Sequence, residues 1–271
     1  MRTKDKFAEA MLAGKPLPLP IIDMHGHLDE LAAYYIPGPD AASMVKVMDS
    51  LGVQAIAVSA HAAISADYRL GNDFVAKAVK DFPGRFIGYA VANPHYSSEI
   101  EGELDRCFDK HGFRLIKLHP GSHRYPLTGP WYEPAYEFAA KHRMPILAHT
   151  WEDDPHCKPD IAAEAARRHP DVTLIMGHSG APSFEKALDH AVAIPNLYLD
   201  LGCSRVFSGT IEYFVKRAPV EKIIYGSDLP FLSMPQQVAK VAFAAVSEAD
   251  KRKIFRENAI RLLTAAGLKV A

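Results

Sequence analysis

The sequence predicts a (β/α)8 barrel, an α/β fold in which eight parallel strands alternate with helices around a closed sheet. Eight short apolar, β-branched runs recur along the chain, and stretches of helical periodicity lie between them. No linker or low-complexity segment interrupts the series, and 271 residues are enough for one large domain. We therefore expect a single barrel domain over residues 1–271.

The eight apolar runs are the predicted strands, and they have few polar positions, as is typical of parallel strands buried on both faces. In order they are "LPIIDM" (19–24), "QAIAVS" (54–59), "RFIGYAVA" (85–92), "RLIKLH" (114–119), "MPILAH" (144–149), "VTLIMGH" (172–178), "LYLDLG" (197–202) and "KIIYGSD" (222–228). An open doubly wound sheet is less compatible with the sequence, because no G-x-G-x-x-G motif opens the first helix.

Helices are predicted between the strands and at both ends of the barrel. The clearest helical stretches are 40–52, 71–82, 99–112 and 133–143. Gly52, Gly112 and Arg143 are expected at helix C-termini, where glycine and basic residues are common. Residues 1–18 are predicted to be a lead-in, extended where prolines are frequent, and residues 233–271 to form two or more closing helices.

Composition restricts the classes of partner. The chain is 48% hydrophobic and 23% charged with a formal net charge of -1, so no sequence-wide basic field exists to hold nucleic acid or an anionic membrane. It contains no long uninterrupted apolar run and no signal-type N-terminus. Cys107, Cys157 and Cys203 are far apart, which indicates reduced thiols. We expect a soluble cytoplasmic protein without nucleic-acid or membrane partners.

Polar residues are concentrated where the predicted strands end. In "IIDMHGHL" (21–28), strand alternation would direct Asp23, His25 and His27 to one face. Seven of the 13 histidines follow a strand: His25, His27, His61, His95, His119, His149 and His178. Lys117 ends the fourth strand and Asp228 the eighth. Because the carboxyl ends of barrel strands form the active-site face, these side chains predict a common site.

Four of these residues form a candidate metal-ligand set: His25, His27, His149 and Asp228. Three imidazoles and one carboxylate suit Zn²⁺ with an open position, and Mn²⁺ or Fe²⁺ would also fit. A bound divalent ion would lower the pKa of its water from about 15.7 toward about 7. His178 is then placed to polarise a carbonyl or to shuttle a proton. Asp23 is expected to orient a ligating imidazole, with a backbone hydrogen bond as the alternative.

The same motifs resemble the amidohydrolase superfamily of metal-dependent barrels. H-x-H follows strand 1, a histidine follows strand 5, "GHSG" (177–180) follows strand 6 and "GSDLP" (226–230) follows strand 8. "LIKLHP" (115–120) and "ENAIRLL" (257–263) are most similar to the branch that includes aminocarboxymuconate-semialdehyde decarboxylase. The resemblance covers about residues 20–264.

This resemblance implies roles for individual residues. It places His25, His27, His149 and Asp228 around one metal ion and makes His178 the catalytic or substrate-polarising histidine. In hydrolytic members the strand-8 aspartate also accepts a proton from metal-bound water, so Asp228 is a second catalytic candidate. Binuclear relatives carry a carboxylated lysine at roughly the position of Lys117, but nothing in the sequence requires a second ion.

Substrate contacts are predicted for His119, Lys117, Trp151 and Arg205, which lie at strand ends or in the loops after them. For Lys117 an internal ion pair with Asp200 or Asp228 is the competing interpretation, because an unpaired buried ammonium is costly.

Taken together, the sequence predicts a metal-dependent hydrolase that attacks a C–N or C–O bond of a small metabolite through activated water. A nonoxidative decarboxylase of a small unsaturated or aromatic acid, or a hydratase, is the alternative on the same metal site. A non-catalytic binding barrel is the second alternative. The outer helices of such barrels often pair, so a homodimer or higher homo-oligomer is the expected assembly.

Overall fold

Eight parallel strands form one sheet in the computed structural model, which describes residues 5–31 and 33–269. The strands are β1 Ile21–Leu28, β2 Val53–Ala60, β3 Phe86–Val91, β4 Leu115–Leu118, β5 Ile146–His149, β6 Leu174–Gly177, β7 Leu197–Asp200 and β8 Ile223–Ile224. Each strand pairs in parallel with the next in the chain. The predicted barrel fold is confirmed.

Backbone hydrogen bonds between the first and last strand regions close the barrel. The Met24 amide donates to the Tyr225 carbonyl at 3.0 Å, and the His27 amide donates to the Leu229 carbonyl at 2.7 Å. In the opposite direction, the Asp228 amide donates to the His25 carbonyl at 2.7 Å. The segment after β8 therefore runs directly beside the segment that carries the H-x-H motif.

Helices surround the barrel. Within the described residues they are α1 Lys6–Leu12, α2 Ala41–Leu51, α3 His61–Ser65, α4 Tyr68–Asp81, α5 Ile100–His111, α6 Pro120–His123, α7 Glu133–His142, α8 Pro159–Arg168, α9 Phe184–Ala193, α10 Thr210–Arg217, α11 Met234–Ala242, α12 Glu248–Arg252 and α13 Asn258–Ala265. Short 3₁₀ turns occupy Pro94–Glu99, Pro130–Tyr132, His178–Gly180 and Val220–Lys222, and a π-helical turn occupies Lys253–Glu257.

Two hydrophobic clusters separate the inside of the barrel from its outer layer. The inner cluster consists of strand residues such as Ile22, Ala57 and Leu147, joined by Leu263 of α13. The larger cluster lies between the strands and the surrounding helices. Burial of most strand positions on both faces explains why the strands are apolar almost throughout.

The predicted helix ends are confirmed, whereas the last strand is shorter than expected. Gly52, Gly112 and Arg143 follow their helices in the left-handed conformation, with φ of 79°, 69° and 54°. The predicted strand 222–228 is regular only over Ile223–Ile224. Beyond it the chain bends, and Asp228 itself has a φ of 61°, because this segment pairs irregularly with β1 while it turns into the following loop.

The N-terminal lead-in contains a helix that was not predicted. Asp5 caps α1 by accepting hydrogen bonds from the Phe7 and Ala8 amides, and the buried Lys251 ammonium donates to the same carboxylate at 2.6 Å. Residues 15–20 form neither helix nor strand, as the prolines predicted. Residues 1–4 lie outside the described residues, and the division into a lead-in, a barrel and closing helices stays a prediction.

The three cysteines are free and buried. Among the helices of the described residues, none combines the length and the apolar character that crossing a membrane requires.

Two glycines of α5 provide a test of the predicted helix end. We expect Gly112→Ala to reduce the free energy of unfolding by about 1 kcal/mol, because the left-handed backbone conformation at this position is unfavourable for alanine. The added Cβ itself would meet no neighbouring atom. Gly102→Ala, at an exposed position inside the same helix with equally open space, should instead stabilise by about 0.5–1 kcal/mol. Urea titration of both variants measures the difference. Equal effects would contradict the assigned helix end.

Candidate active site and metal centre

A buried cluster of two imidazoles and one carboxylate forms where β1 and the segment after β8 meet. His27 Nε2 lies 3.2 Å and His25 Nε2 lies 3.6 Å from Asp228 Oδ1. The possible ligand atoms of these three residues are all within 4.8 Å of one another, and all three residues are buried. Nitrogen and carboxylate donors at this spacing suit a divalent transition metal. The structure thus brings together three of the four predicted ligands.

The remaining predicted ligand, His149, lies beside this cluster. Its Nδ1 is 3.0 Å from His178 Nε2, and its ring stacks on His119 with 4.1 Å between the ring centroids. Within the described residues, His149 is not a member of a three-residue cluster as compact as that of His25, His27 and Asp228. Its ligation of a metal stays a prediction.

A second cluster shares His25 and adds a residue that was not predicted as part of the metal site. Asp200, at the end of β7, has one carboxylate oxygen 2.7 Å from His25 Nδ1 and 2.9 Å from the His178 amide. His25, His178 and Asp200 again have their possible ligand atoms within 4.8 Å. The sequence predicts Asp200 only as an ion-pair partner of Lys117. The signal that could have identified it is the same as for the histidines: a polar residue ends an apolar strand.

Lys117 enters the same buried centre from β4. Its Nζ lies 3.1 Å from His25 Nε2, and the side chain is fully buried. Burial lowers the pKa of Lys117 to about 8, against the opposing charges of Asp228 and Asp200. Among the described residues, Asp200 and Asp228 form their ion pairs with histidines and not with Lys117. The close partner of the Lys117 ammonium is the imidazole of His25.

Asp23 accepts hydrogen bonds from backbone amides and does not orient an imidazole, so the alternative predicted from the sequence applies. Its Oδ1 accepts hydrogen bonds from the amides of His25 and Ser227, both at 3.0 Å, and so ties β1 to the segment after β8. Burial raises the pKa of Asp23 to about 7. The carboxylate that contacts the imidazole of His25 belongs to Asp200.

The surroundings of His27 also include residues not assigned from the sequence. Ser59 Oγ lies 3.1 Å from His27 Nδ1, and the His61 ring stacks on that of His27 at 4.6 Å between centroids. Burial lowers the pKa of His27 well below its usual value, although the Asp228 carboxylate opposes the shift. A neutral imidazole is the form that binds a metal. Ser59 ends β2 much as the histidines end other strands, but a serine alone carries little signal.

His178 adopts a left-handed backbone conformation with a φ of 62°, which is rare for residues other than glycine. Such conformations persist where the surrounding structure holds them, and they are frequent at functional sites. Burial lowers the pKa of His178 to about 4, so the imidazole is neutral near pH 7. Its Nδ1 contacts the carbonyl oxygen of Gly202, which can only accept, so the Nδ1 atom carries the proton.

The predicted substrate-contact residues are divided between the buried centre and its rim. Lys117 and His119 contact ligand candidates directly, as described above. The Trp151 ring lies 6.0 Å from the His178 ring, and the guanidinium of the exposed Arg205 lies 5.8 Å from the Trp151 ring. Trp151 therefore has the His178 ring on one contact and the Arg205 cation on another.

The comparisons with known proteins agree with this arrangement. The family model Amidohydro_2, described as "Amidohydrolase", matches residues 22–264. The chain belongs to this family. The resemblance inferred from the sequence motifs is therefore confirmed. Family membership and the buried His/Asp cluster together identify a metal-dependent enzyme of the amidohydrolase family.

Individual relatives match over most of the chain. The gamma-resorcylate decarboxylase of Rhodococcus jostii (strain RHA1) is 23% identical over 273 residues, which cover 81% of this chain and 82% of the relative. The crystal structure of a dihydroxybenzoic acid decarboxylase from Polaromonas sp. JS666, with bound manganese and the inhibitor 2-nitroresorcinol, matches with a TM-score of 0.76 at 19% identity. That match covers 91% of this chain and 97% of the other.

A second solved structure, an uncharacterized TIM-barrel protein from Bordetella bronchiseptica, matches with a TM-score of 0.77 at 18% identity, covering 92% of this chain and all of the other. At these identities the likeness between structures shows the fold.

Outside the metal cluster, His123 of α6 is buried with an incomplete set of partners. Its Nδ1 lies 2.7 Å from the Tyr132 hydroxyl, and within the described residues its Nε2 has no hydrogen-bond partner. Burial, with a contribution from the charge of His95, lowers the pKa of His123 to about 4.

This shift predicts a pH dependence of stability. The unfolded chain takes up the His123 proton near the usual pKa of 6.5 and the folded chain only near 4, so stability is lost as the pH falls between these values. In urea titrations between pH 4.5 and 6, His123→Gln should reduce the slope of unfolding free energy against pH by up to about 1.4 kcal/mol per pH unit. Tyr132→Phe, which keeps the burial, should retain the slope. Equal slopes for wild type and His123→Gln would contradict the assignment.

Proposed function

We propose that the protein is a nonoxidative decarboxylase that replaces the carboxylate of a small aromatic or unsaturated acid with hydrogen. The structural observation that carries the proposal is the position of His178 between the buried His/Asp cluster and the Trp151–Arg205 pair. An aromatic wall and a cation beside a proton-transfer group suit an aromatic carboxylate. The decarboxylase relatives that cover most of the chain support the same reaction.

We propose that one divalent ion occupies the centre, held by His25, His27 and Asp228, with His149 as the fourth ligand. The donor set fits, because buried neutral imidazoles and a carboxylate converge there. When bound, such an ion would polarise a substrate oxygen and reduce the charge that builds up during reaction. Zn²⁺, Mn²⁺ and Fe²⁺ all suit these ligands, and manganese is the ion in the Polaromonas structure.

The role of His178 follows from its hydrogen bonds. Decarboxylation breaks a C–C bond, releases CO₂ and consumes one proton that forms the new C–H bond. Because the Gly202 carbonyl holds the Nδ1 proton, Nε2 is the ring nitrogen that can exchange a proton, and it does so only when its 3.0 Å contact with His149 Nδ1 opens. Burial lowers the pKa of His178 to about 4, so the resting imidazole is neutral near pH 7 and must take up from water the proton that it delivers to carbon.

Arg205 is proposed to bind the substrate carboxylate before it leaves. The residue is exposed at the rim, where its guanidinium packs near the Trp151 ring. A guanidinium binds a carboxylate through two parallel hydrogen bonds, which would fix the plane of the acid against the aromatic ring.

Hydrolysis, the main prediction from the sequence, is supported less well than decarboxylation. The metal ligands and the strand-8 aspartate suit activated water equally, so the site alone does not favour one reaction. The curated relatives, which are decarboxylases, favour the alternative. A non-catalytic barrel is disfavoured, because the residues proposed for the chemistry lie in contact with one another in one buried centre. These residues are His25, His27, His149, His178 and Asp228.

A substrate panel tests the proposed function. Purified protein treated with a chelator and reloaded with Mn²⁺ or Zn²⁺ is given dihydroxybenzoic and enoic acids, and in parallel lactones and amides. We expect one CO₂ released for each acid consumed, with the activity lost on chelation. Hydrolysis of a lactone or amide without CO₂ release from any acid would overturn the proposal.

Arg205→Met should raise KM for the carboxylic acid by roughly 10- to 150-fold with a smaller effect on kcat, because a charge-assisted contact contributes about 1.5–3 kcal/mol. Arg205→Lys should give an intermediate KM. Arg143→Met is the matched control: Arg143 is exposed but precedes β5, at the opposite end of the barrel, and should leave KM unchanged. Steady-state kinetics measures both constants. An Arg205→Met variant with wild-type KM would exclude the proposed contact.

A further inference from the structure

The carboxylate of Asp200 is the meeting point of three hydrogen bonds at the end of β7. Its Oδ2 accepts from His25 Nδ1 at 2.7 Å and from the His178 amide at 2.9 Å, and its Oδ1 accepts from the Gly202 amide at 3.1 Å. Asp200 is 1% exposed, so these donors replace water. Every one of them is an N–H group of the buried centre or of the turn that follows β7.

The contact between Asp200 and His25 determines which nitrogen of His25 carries the proton. An ionised carboxylate only accepts hydrogen bonds, so Nδ1 must be the protonated atom. The other nitrogen is tested independently by Lys117, whose ammonium only donates and lies 3.1 Å from His25 Nε2. Both neighbours therefore require the same tautomer, in which the Nε2 lone pair faces the Lys117 ammonium at 3.1 Å and lies 3.6 Å from Asp228 Oδ1.

The turn after β7 also determines which ring nitrogens of His178 and His149 carry their protons. The Gly202 carbonyl accepts the Nδ1 proton of His178, which leaves Nε2 of His178 as an acceptor. The only group that can donate across the 3.0 Å contact is then His149 Nδ1, which leaves the Nε2 atom of His149 unprotonated. Because Asp200 Oδ1 holds the Gly202 amide, the same residue fixes the start of this chain of hydrogen bonds.

Local packing preserves this arrangement. Ser179 Oγ donates to the Asp200 carbonyl at 2.6 Å, and together with the His178 amide it anchors a turn in which residues 178 and 179 both have positive φ. Residue 226 is glycine, and a Cβ there would overlap Asp200 Oδ1. The glycine of the GSDLP motif thus makes room for the carboxylate.

We propose that Asp200 is a positioning residue which, through its carboxylate and the turn to Gly202, sets the tautomers of His25, His178 and His149 so that Nε2 of His25 and of His149 is unprotonated, as a metal ligand must be. At His25 a bound ion would replace the hydrogen bond from the Lys117 ammonium. The inference rests on the proposed metal-dependent function. Asp200 itself contacts neither the ion nor the substrate in this account.

Nitrogen NMR of the histidine side chains in metal-free protein measures the tautomers directly. With imidazoles labelled with ¹⁵N and assigned through single His→Gln variants, we expect the proton on Nδ1 for His25, His178 and His149. A His25 resonance from the form protonated at Nε2 would overturn the proposal. This measurement uses the wild-type side chains of the other residues and so remains decisive even where an Asp200 variant fails to fold.

Metal affinity provides the second test. An amide can donate as well as accept, so Asp200→Asn no longer requires a proton on Nδ1, and we expect Kd for Mn²⁺ or Zn²⁺ to rise 10- to 100-fold. Asp23→Asn is the matched control: Asp23 is equally buried in the same centre but accepts hydrogen bonds from backbone amides. It should lower the melting temperature with less than a threefold change in Kd.

A wild-type Kd for Asp200→Asn, or an equal loss of affinity in both variants, would contradict the role assigned to Asp200. Because neither measurement uses a substrate, these outcomes are distinct from a failure of the proposed decarboxylation. A variant that binds metal weakly in a protein that releases no CO₂ from any acid would support the role of Asp200 and exclude the reaction.

Discussion

The hydrogen bonds that close the barrel between β1 and the segment after β8 determine where the chemistry lies. They place Asp228 against His25 and His27, although more than 200 positions of the chain separate it from either histidine. A closed parallel sheet has all its carboxyl ends on one rim, so β4, β5, β6 and β7 direct their terminal side chains toward the same centre. An open sheet would spread these residues along an edge instead of gathering them around one point.

Gathering polar groups at a buried point has a cost that the local partners only partly offset. Two aspartates of the centre, Asp200 and Asp23, differ in how completely hydrogen-bond donors surround them. Asp200 accepts three hydrogen bonds, and although burial opposes ionisation, the imidazole of His25 and the other donors hold its pKa at about 2. Asp23 has one oxygen without a partner among the described residues, and burial raises its pKa to about 7. Burial lowers the pKa values of His27, His149 and His178, and a bound cation would add the attraction that the protein alone does not supply.

Much of the fold and several members of the site could be predicted from the sequence, because both depend on local patterns. Eight apolar runs separated by amphipathic helices specify the barrel, and a polar residue at a strand end specifies the rim. The hydrogen bond of Asp200, the imidazole next to Lys117 and the backbone contacts of Asp23 depend instead on which strand ends face each other across the barrel. Which strand ends face each other is set by the tilt and stagger of the strands in the closed sheet, and the periodicity of the sequence does not encode either of these.

The difference between strand ends and loops explains why the sequence predicts the metal centre better than it predicts the class of reaction. The residues proposed to hold and orient the metal come from strand ends, where the barrel fixes their direction, and a metal with three imidazoles can serve hydrolysis, decarboxylation or hydration. Trp151 and Arg205, which would select the acid, lie in the loops after β5 and β7. Loops change without disturbing the barrel, so the choice of substrate can vary while the ligand set stays constant. The choice of substrate is therefore expected to depend on the place where Trp151 lies beside His178, at the boundary between rigid strands and variable loops.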